Sequence, residues 1–149
     1  MYKKREHIHF MGIGGIGMSG IAEILKLRGY AVSGCDVGSG GKTLEHLASI
    51  GCQIYSGHAI EHVHDADVLV YSSAVKQSNP EVIAAVQKGI PVIQRALMLG
   101  ELMRTKYSVA ISGSHGKTTT TSLLAHIMIE AGRKPTVVVG GVLKNIANN

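Results

Sequence analysis

Ile8-His9-Phe10-Met11-Gly12-Ile13-Gly14-Gly15-Ile16-Gly17-Met18 is the stretch that decides the fold. Gly12, Gly14 and Gly17 fit G-x-G-x-x-G: the first allows a tight turn, the second lets the backbone approach a pyrophosphate, and the third lets a helix pack on its strand. A strand is predicted to enter the loop, and Ile21, Ile24, Leu25 and Arg28 behind it are spaced for one buried helix face. The next strand, Ala31-Val32-Ser33-Gly34-Cys35-Asp36, ends in an acid. Asp36 lies about 20 residues past the loop, where such folds place a carboxylate that accepts a hydrogen bond from a ribose hydroxyl. A glycine-rich turn beside a solvated Asp is the alternative that these residues alone leave open.

Strand and helix signals alternate outward from this loop. A helix carrying Leu44, Leu47 and Ala48 is expected after Gly38-Ser39-Gly40-Gly41, then strands at Cys52-Gln53-Ile54-Tyr55 and Asp67-Val68-Leu69-Val70-Tyr71. Asn79-Pro80-Glu81 opens a helix with Val82, Ile83 and Val86 that ends at Gly89, and Pro91-Val92-Ile93 is one more strand. Repeated βα units with short connections predict an α/β fold, a Rossmann-like parallel sheet wrapped by helices. Ligands of such sheets bind outside the carboxyl ends of the strands. That rule puts the glycine loop, Asp36 and the Ser72-Ser73 turn on one rim, where the serines are candidates to bond a base or sugar or are simply solvated turn residues.

A second loop follows at Ser112-Gly113-Ser114-His115-Gly116-Lys117-Thr118-Thr119. Its backbone N–H groups and the helix behind it are suited to nucleotide phosphates, with Lys117 as a point charge and a hydroxyl reaching Mg²⁺, so ATP is the first ligand to consider. The strict P-loop pattern fails at one position, where Ile111 replaces the first Gly. Tyr107 to Ile111 reads as a strand entering the loop, and Leu123, Leu124, Ile127 and Met128 fall on one helix face behind it. His115 either touches phosphate or nucleoside, or is solvated.

We expect a first domain over residues 1–106, bounded by the helix with Leu97, Met98, Leu102 and Met103, and the beginning of a P-loop domain over residues 107–149. One helix and one strand, Thr136-Val137-Val138-Val139, are too little to close a second core. Phosphoryl transfer also needs a carboxylate near the metal, and Glu130, the one acid after Lys117, sits far down its helix. The chain is therefore expected to be a truncated portion, incomplete for catalysis by itself.

Composition narrows the classes. The 149 residues carry a formal net charge of +5, but one Phe, no Trp and scattered basic residues provide no stacking platform for nucleic acid. A positive field that attracts anionic nucleotides accounts for the balance. No apolar run reaches membrane-spanning length and no signal-type core follows Lys3-Lys4-Arg5, so a cytoplasmic protein without membrane partners is expected. Cys35 and Cys52 do not make a zinc framework, and His58, His62 and His64 match no zinc spacing template. His7 and His9 are expected at an edge or in the core. Oligomeric state is open.

Taken together, these motifs carry a resemblance. The Ile8 to Ala22 run, Tyr71-Ser72-Ser73-Ala74-Val75, Asn79-Pro80-Glu81, Arg95 to Arg104 and Gly113 to Thr121 resemble the Mur ligases, in particular the branch that adds L-alanine. The likeness covers essentially the whole chain. Two departures stand out: Ser114 replaces the usual Thr and keeps the hydroxyl, and the family's long central and C-terminal domains go well beyond this sequence. The resemblance implies ATP-dependent amide formation in peptidoglycan synthesis, with UDP-N-acetylmuramate and L-alanine as substrates and Mg²⁺ as cofactor. It also implies that Gly14, Gly15, Ile16 and Gly17 face the UDP pyrophosphate, with Asp36, Ser72 and Ser73 candidates for uridine and ribose. Gly113, Ser114, His115, Gly116, Lys117, Thr118 and Thr119 would bind ATP, with Lys117 and Thr118 in catalytic roles and Thr118 on Mg²⁺. A nicotinamide-binding Rossmann domain and a non-catalytic nucleotide-sugar module stay open as alternatives.

Overall fold

The computed structural model describes residues 6–38 and 41–139. Five strands, β1 (His7–Met11), β2 (Ala31–Asp36), β3 (Gln53–Ser56), β4 (Val68–Tyr71) and β5 (Val92–Gln94), form one sheet in the order β3-β2-β1-β4-β5. All four strand pairings are parallel, with Phe10 opposite Gly34 on one side and Val70 on the other. Parallel neighbours require crossovers, and the helices α1 (Ile16–Leu27), α2 (Lys42–Ser49) and α3 (Pro80–Gln87) supply three of them. The chain winds outward through β2 and β3, then returns across β1 to β4. The reversal point therefore lies between the carboxyl ends of β1 and β4, where open α/β sheets bind ligands.

Side-chain alternation along the strands feeds two cores. Ile8 and Phe10 of β1, Val32 of β2, and Val68 and Val70 of β4 meet Met18, Ile21, Ala22 and Leu25 of α1. Met98 and Leu102 of α4 (Arg95–Arg104) join the same core. Met11, Cys35 and Leu69 face the opposite side, against Val82, Ala84 and Ala85 of α3 and Val63 of a 3₁₀ turn at Ile60–Val63. Phe10, Met11, Ile21 and Leu69 are fully buried, each contributing about 1.5–3 kcal/mol of apolar transfer. Pro80 occupies the first turn of α3, where no N–H is needed, and Asn79 Oδ1 caps it by accepting from the Glu81 N–H at 2.9 Å.

Three expectations need correction. Arg28 is not part of the buried face of α1: it caps the helix and its guanidinium donates to Thr105 Oγ1 at 2.8 Å. Neither Tyr107 to Ile111 nor Thr136 to Val139 forms a strand. An extended segment becomes a strand only by pairing with a neighbour, and neither segment takes part in a pairing of the sheet. The helix after the second loop, α5 (Lys117–Glu130), does form. Its predicted apolar face is not buried, since Leu123 and Ile127 are exposed and Ala125 is the buried residue of the helix. Gly140-Gly141 and Ser39-Gly40 lie outside the described residues.

Candidate functional site

The glycine loop sits at the reversal point. Gly12 turns with φ of 74°, a conformation that a side chain would strain. The Gly12 and Ile13 N–H groups both donate to the Cys35 carbonyl at 2.8 and 3.1 Å, tying the loop to β2. Gly15 caps α1 without a side-chain acceptor, and a helix start of that kind is an anion site. The loop thus presents backbone donors and the positive end of a helix dipole.

Asp36 is bound into this loop. Its Oδ2 accepts from the Gly14 N–H and its Oδ1 from the Gly38 N–H, each at 2.8 Å. A Cβ on Gly14 would lie 2.9 Å from Asp36 Oδ2 and 3.0 Å from Leu44 Cδ2, so the acid and the glycine require each other. A carboxylate has about four lone-pair sites, so Asp36 retains capacity for a hydroxyl. Ser72 and Ser73 follow β4 in a turn closed by the Val75 N–H on the Ser72 carbonyl at 3.0 Å. Ser72 is half-buried and Ser73 exposed, and their place after β4 puts them on the rim expected for them.

Arg95 is the residue that motif reading passed over. It is the first residue of α4, directly after β5, and its guanidinium lies against Gly17: a Cβ there would be 2.8 Å from Arg95 Nη1. Arg95 is exposed and makes no ion pair among the described residues. The third glycine of the loop therefore makes room for a cation here. The signal was present, since a basic residue directly after a parallel strand falls on the ligand rim.

Around the second loop, Gly116 caps α5 with φ of 78°. Lys117 Nζ curls back to the Gly113 carbonyl and also donates to the Ser114 carbonyl at 3.3 Å. Thr121 Oγ1 donates to the Lys117 carbonyl at 2.7 Å. Gly113, Ser114, His115, Gly116, Thr118 and Thr119 are exposed on this loop and the first turn. The loop curls around the Lys117 ammonium, so Lys117 must turn outward to meet a phosphate.

On the opposite face from α1 lies a polar cluster that no spacing announced. Glu81 is fully buried at the start of α3. Its Oε1 accepts from the Ala59 N–H at 3.1 Å and pairs with His62 Nδ1 at 2.7 Å. Its Oε2 accepts from the Cys35 thiol at 2.9 Å and is 3.4 Å from His58 Nδ1. Burial alone would raise the carboxyl's pKa, but the donors gathered around it, the Cys35 thiol, His62 and the Ala59 N–H, hold it below its ordinary range. Burial, reinforced by the Glu81 carboxylate, pushes the Cys35 thiol well above its ordinary range. His62 stacks on Tyr55 with ring centroids 4.3 Å apart. His64 is exposed and Cys52 packs in the other core, so of the histidines and cysteine nearest in sequence only His58 and His62 reach the cluster.

Residues 7–107 match the family model described as the Mur ligase family, catalytic domain. The chain belongs to the Mur ligase family. This Mur ligase chain is 57% identical over 149 residues to the UDP-N-acetylmuramate–L-alanine ligase of Desulfatibacillum aliphaticivorans, covering 100% of the chain and 32% of the relative. It is 57% identical over 150 residues to the enzyme of the same name from Neisseria gonorrhoeae, again covering 32% of that protein. It therefore spans about a third of the length of the curated relatives it matches. Among solved structures it is similar to the UDP-N-acetylmuramate-alanine ligase of Thermotoga maritima, with TM-score 0.83 and 32% identity over 91% of the chain and 32% of the other. It is also similar to the UDP-N-acetylmuramate:L-alanyl-gamma-D-glutamyl-meso-diaminopimelate ligase of Neisseria meningitides, with TM-score 0.86 and 35% identity over 97% of the chain and 45% of the other. Both Mur ligase structures share the parallel α/β fold described above.

Proposed function

We propose that this chain is the UDP-sugar-binding portion, with the start of the ATP-binding domain, of a ligase that joins L-alanine to UDP-N-acetylmuramate in peptidoglycan synthesis. The observation that carries the reading is the glycine loop at the sheet's reversal point, with Asp36 bound into it and Arg95 beside Gly17. The names of relatives that match the whole of this chain support the choice of substrate. Described residues bearing on location include no helix long and apolar enough to cross a membrane, and we assign the chain to the cytoplasm, where UDP-sugars and ATP are used.

A domain boundary at 106/107 separates the two nucleotide sites. In the first, the N-terminal donors of α1 at Gly15, Ile16 and Gly17, with Gly14, meet the pyrophosphate, Arg95 adds charge, and Asp36, Ser72 and Ser73 bond the uridine and ribose. In the second, the loop from Gly113 to Thr119 holds ATP, and Mg²⁺ is held in part by Thr118. A free carboxylate is a poor electrophile, so the lactoyl carboxylate oxygen first attacks the γ-phosphorus and ADP leaves. The amine of L-alanine then attacks the acyl carbon, the C–O bond to phosphate breaks, the amine's proton passes to the departing phosphate, and the amide forms with release of inorganic phosphate. Lys117, released from the Gly113 carbonyl, stabilises charge on the transferred phosphoryl group.

Calorimetric titration of the chain with UDP-N-acetylmuramate, with NADH as control, tests the first site. Binding of the UDP-sugar without NADH is expected. Binding of NADH alone would replace this reading with a nicotinamide-binding domain.

A further inference from the structure

The cluster beneath the glycine loop has a polarity problem that hydrogen bonds alone do not solve. His7 Nδ1 lies 3.0 Å from the Asp65 carbonyl, which only accepts, so a neutral His7 carries its proton there and its Nε2 is an acceptor. Ser33 Oγ, 2.7 Å from that Nε2, must donate to it. The same Oγ is 2.7 Å from His9 Nδ1 and has one proton, already used, so it accepts from the His9 Nδ1–H. This relay leaves His9 Nε2 as a bare lone pair. The nitrogen is buried without a hydrogen-bond partner, and it faces the Glu81 carboxylate at 3.8 Å. Two electron-rich groups in a fully buried setting call for a cation between them.

Nδ1 donating to an oxygen while Nε2 is free is the arrangement of a metal-binding histidine. Cys35 Sγ completes the set: the ligand atoms of His9, Cys35 and Glu81 all lie within 4.8 Å of one another. We propose that His9 Nε2, Cys35 Sγ and Glu81 Oε2 form a buried site for a divalent transition-metal ion of the zinc type. Nitrogen, thiolate and carboxylate are the ligands of zinc. Glu81 Oε1 is held by His62 and the Ala59 N–H, which turns Oε2 toward the ion. His58 Nδ1, 3.2 Å from Cys35 Sγ and partly exposed, marks the side of entry. On binding, the Cys35 S–H bond breaks, the sulfur pair forms the bond to the metal, and the proton passes to water. Ser33 acts as a positioning residue by fixing the His9 tautomer.

The site shares Cys35 with the strand that anchors the glycine loop, and metal binding is read without substrate, so its test does not depend on the proposed ligase activity. Metal-free chain is titrated with Co²⁺ under reducing conditions, followed by Zn²⁺ competition. One equivalent of Co²⁺ with a thiolate-to-cobalt charge-transfer band, displaced by one equivalent of Zn²⁺, is expected. Cys35→Ser should abolish the band, Ser33→Ala should weaken Zn²⁺ binding about 10–100-fold, and Cys52→Ala, His46→Asn and His64→Asn should change nothing. Absence of the band in the folded wild-type chain, or its loss in Cys52→Ala and not in Cys35→Ser, overturns the site. Because the wild-type titration decides the first point, a variant that fails to fold does not shelter the proposal.

Discussion

His9 Nε2 and Glu81 Oε2 face each other across 3.8 Å with both side chains fully buried, and the imidazole nitrogen has no hydrogen-bond partner among the described residues. Burial lowers the His9 pKa, with the Glu81 carboxylate opposing only in part, so the ring is neutral at physiological pH. The Ser33 relay then requires the Nδ1–H tautomer. Long-range ¹H–¹⁵N correlation spectra of metal-free chain should show His9 protonated on Nδ1, and an Nε2–H pattern would break the relay.

Glu81 ties α3 to β2 and the 3₁₀ turn through one carboxylate. Glu81→Gln keeps the shape but removes the charge that His62 and the Ala59 N–H address. Loss of one partner of a buried charged network costs about 3 kcal/mol. Denaturant unfolding in the presence of a chelator should show a loss of that size, and a variant within about 0.5 kcal/mol of wild type, the range of ordinary surface changes, would mean that Glu81 is not a structural tie.

Gly14 tolerates no side chain because Asp36 is pinned at both oxygens and cannot swing away from a new Cβ. Gly14→Ala should lower UDP-sugar affinity by at least tenfold, with about 1–3 kcal/mol of lost stability from overpacking. Calorimetry and thermal melting read the two effects separately.

Arg95→Ala removes a cation from the proposed pyrophosphate rim without opening the core, since the side chain is exposed. A charge-assisted bond of about 1.5–3 kcal/mol predicts a 10- to 100-fold weaker titration with UDP-N-acetylmuramate and an unchanged melting temperature. Equal affinity in the variant would remove Arg95 from the site.

Lys117→Ala, placed in a full-length relative of this chain, should lower ligation by at least about 10³-fold, as loss of a transition-state charge does. UDP-sugar binding should be retained. Turnover near wild type in that variant would show that the second loop does not serve phosphoryl transfer.

Much of the fold was legible because the sheet is built from local signals: each strand and helix through α4 lies within a residue or two of the place its apolar spacing indicates. The glycine loop and Asp36 were readable for the same reason, being joined by one βα unit. The strands expected at Tyr107 to Ile111 and Thr136 to Val139 failed because apolar character makes a segment able to pair and does not supply the neighbour it pairs with. The closeness of Arg95 to Gly17 was not legible because it spans most of the chain; the sequence signalled only that a basic residue follows β5.

The amino-acid sequence by itself determined the βα alternation, the two glycine loops and the family, since each rests on residues near one another along the chain. Tertiary structure alone decided what surrounds Glu81. His9, Ser33, Cys35, His58, His62 and Glu81 come from two strands, a loop, a 3₁₀ turn and a helix, and they meet only because the parallel sheet aligns β1 with β2 and lays α3 across them. Their chemistry depends on burial and on which nitrogen carries a proton, and both are properties of the packed molecule that no run of residues encodes locally.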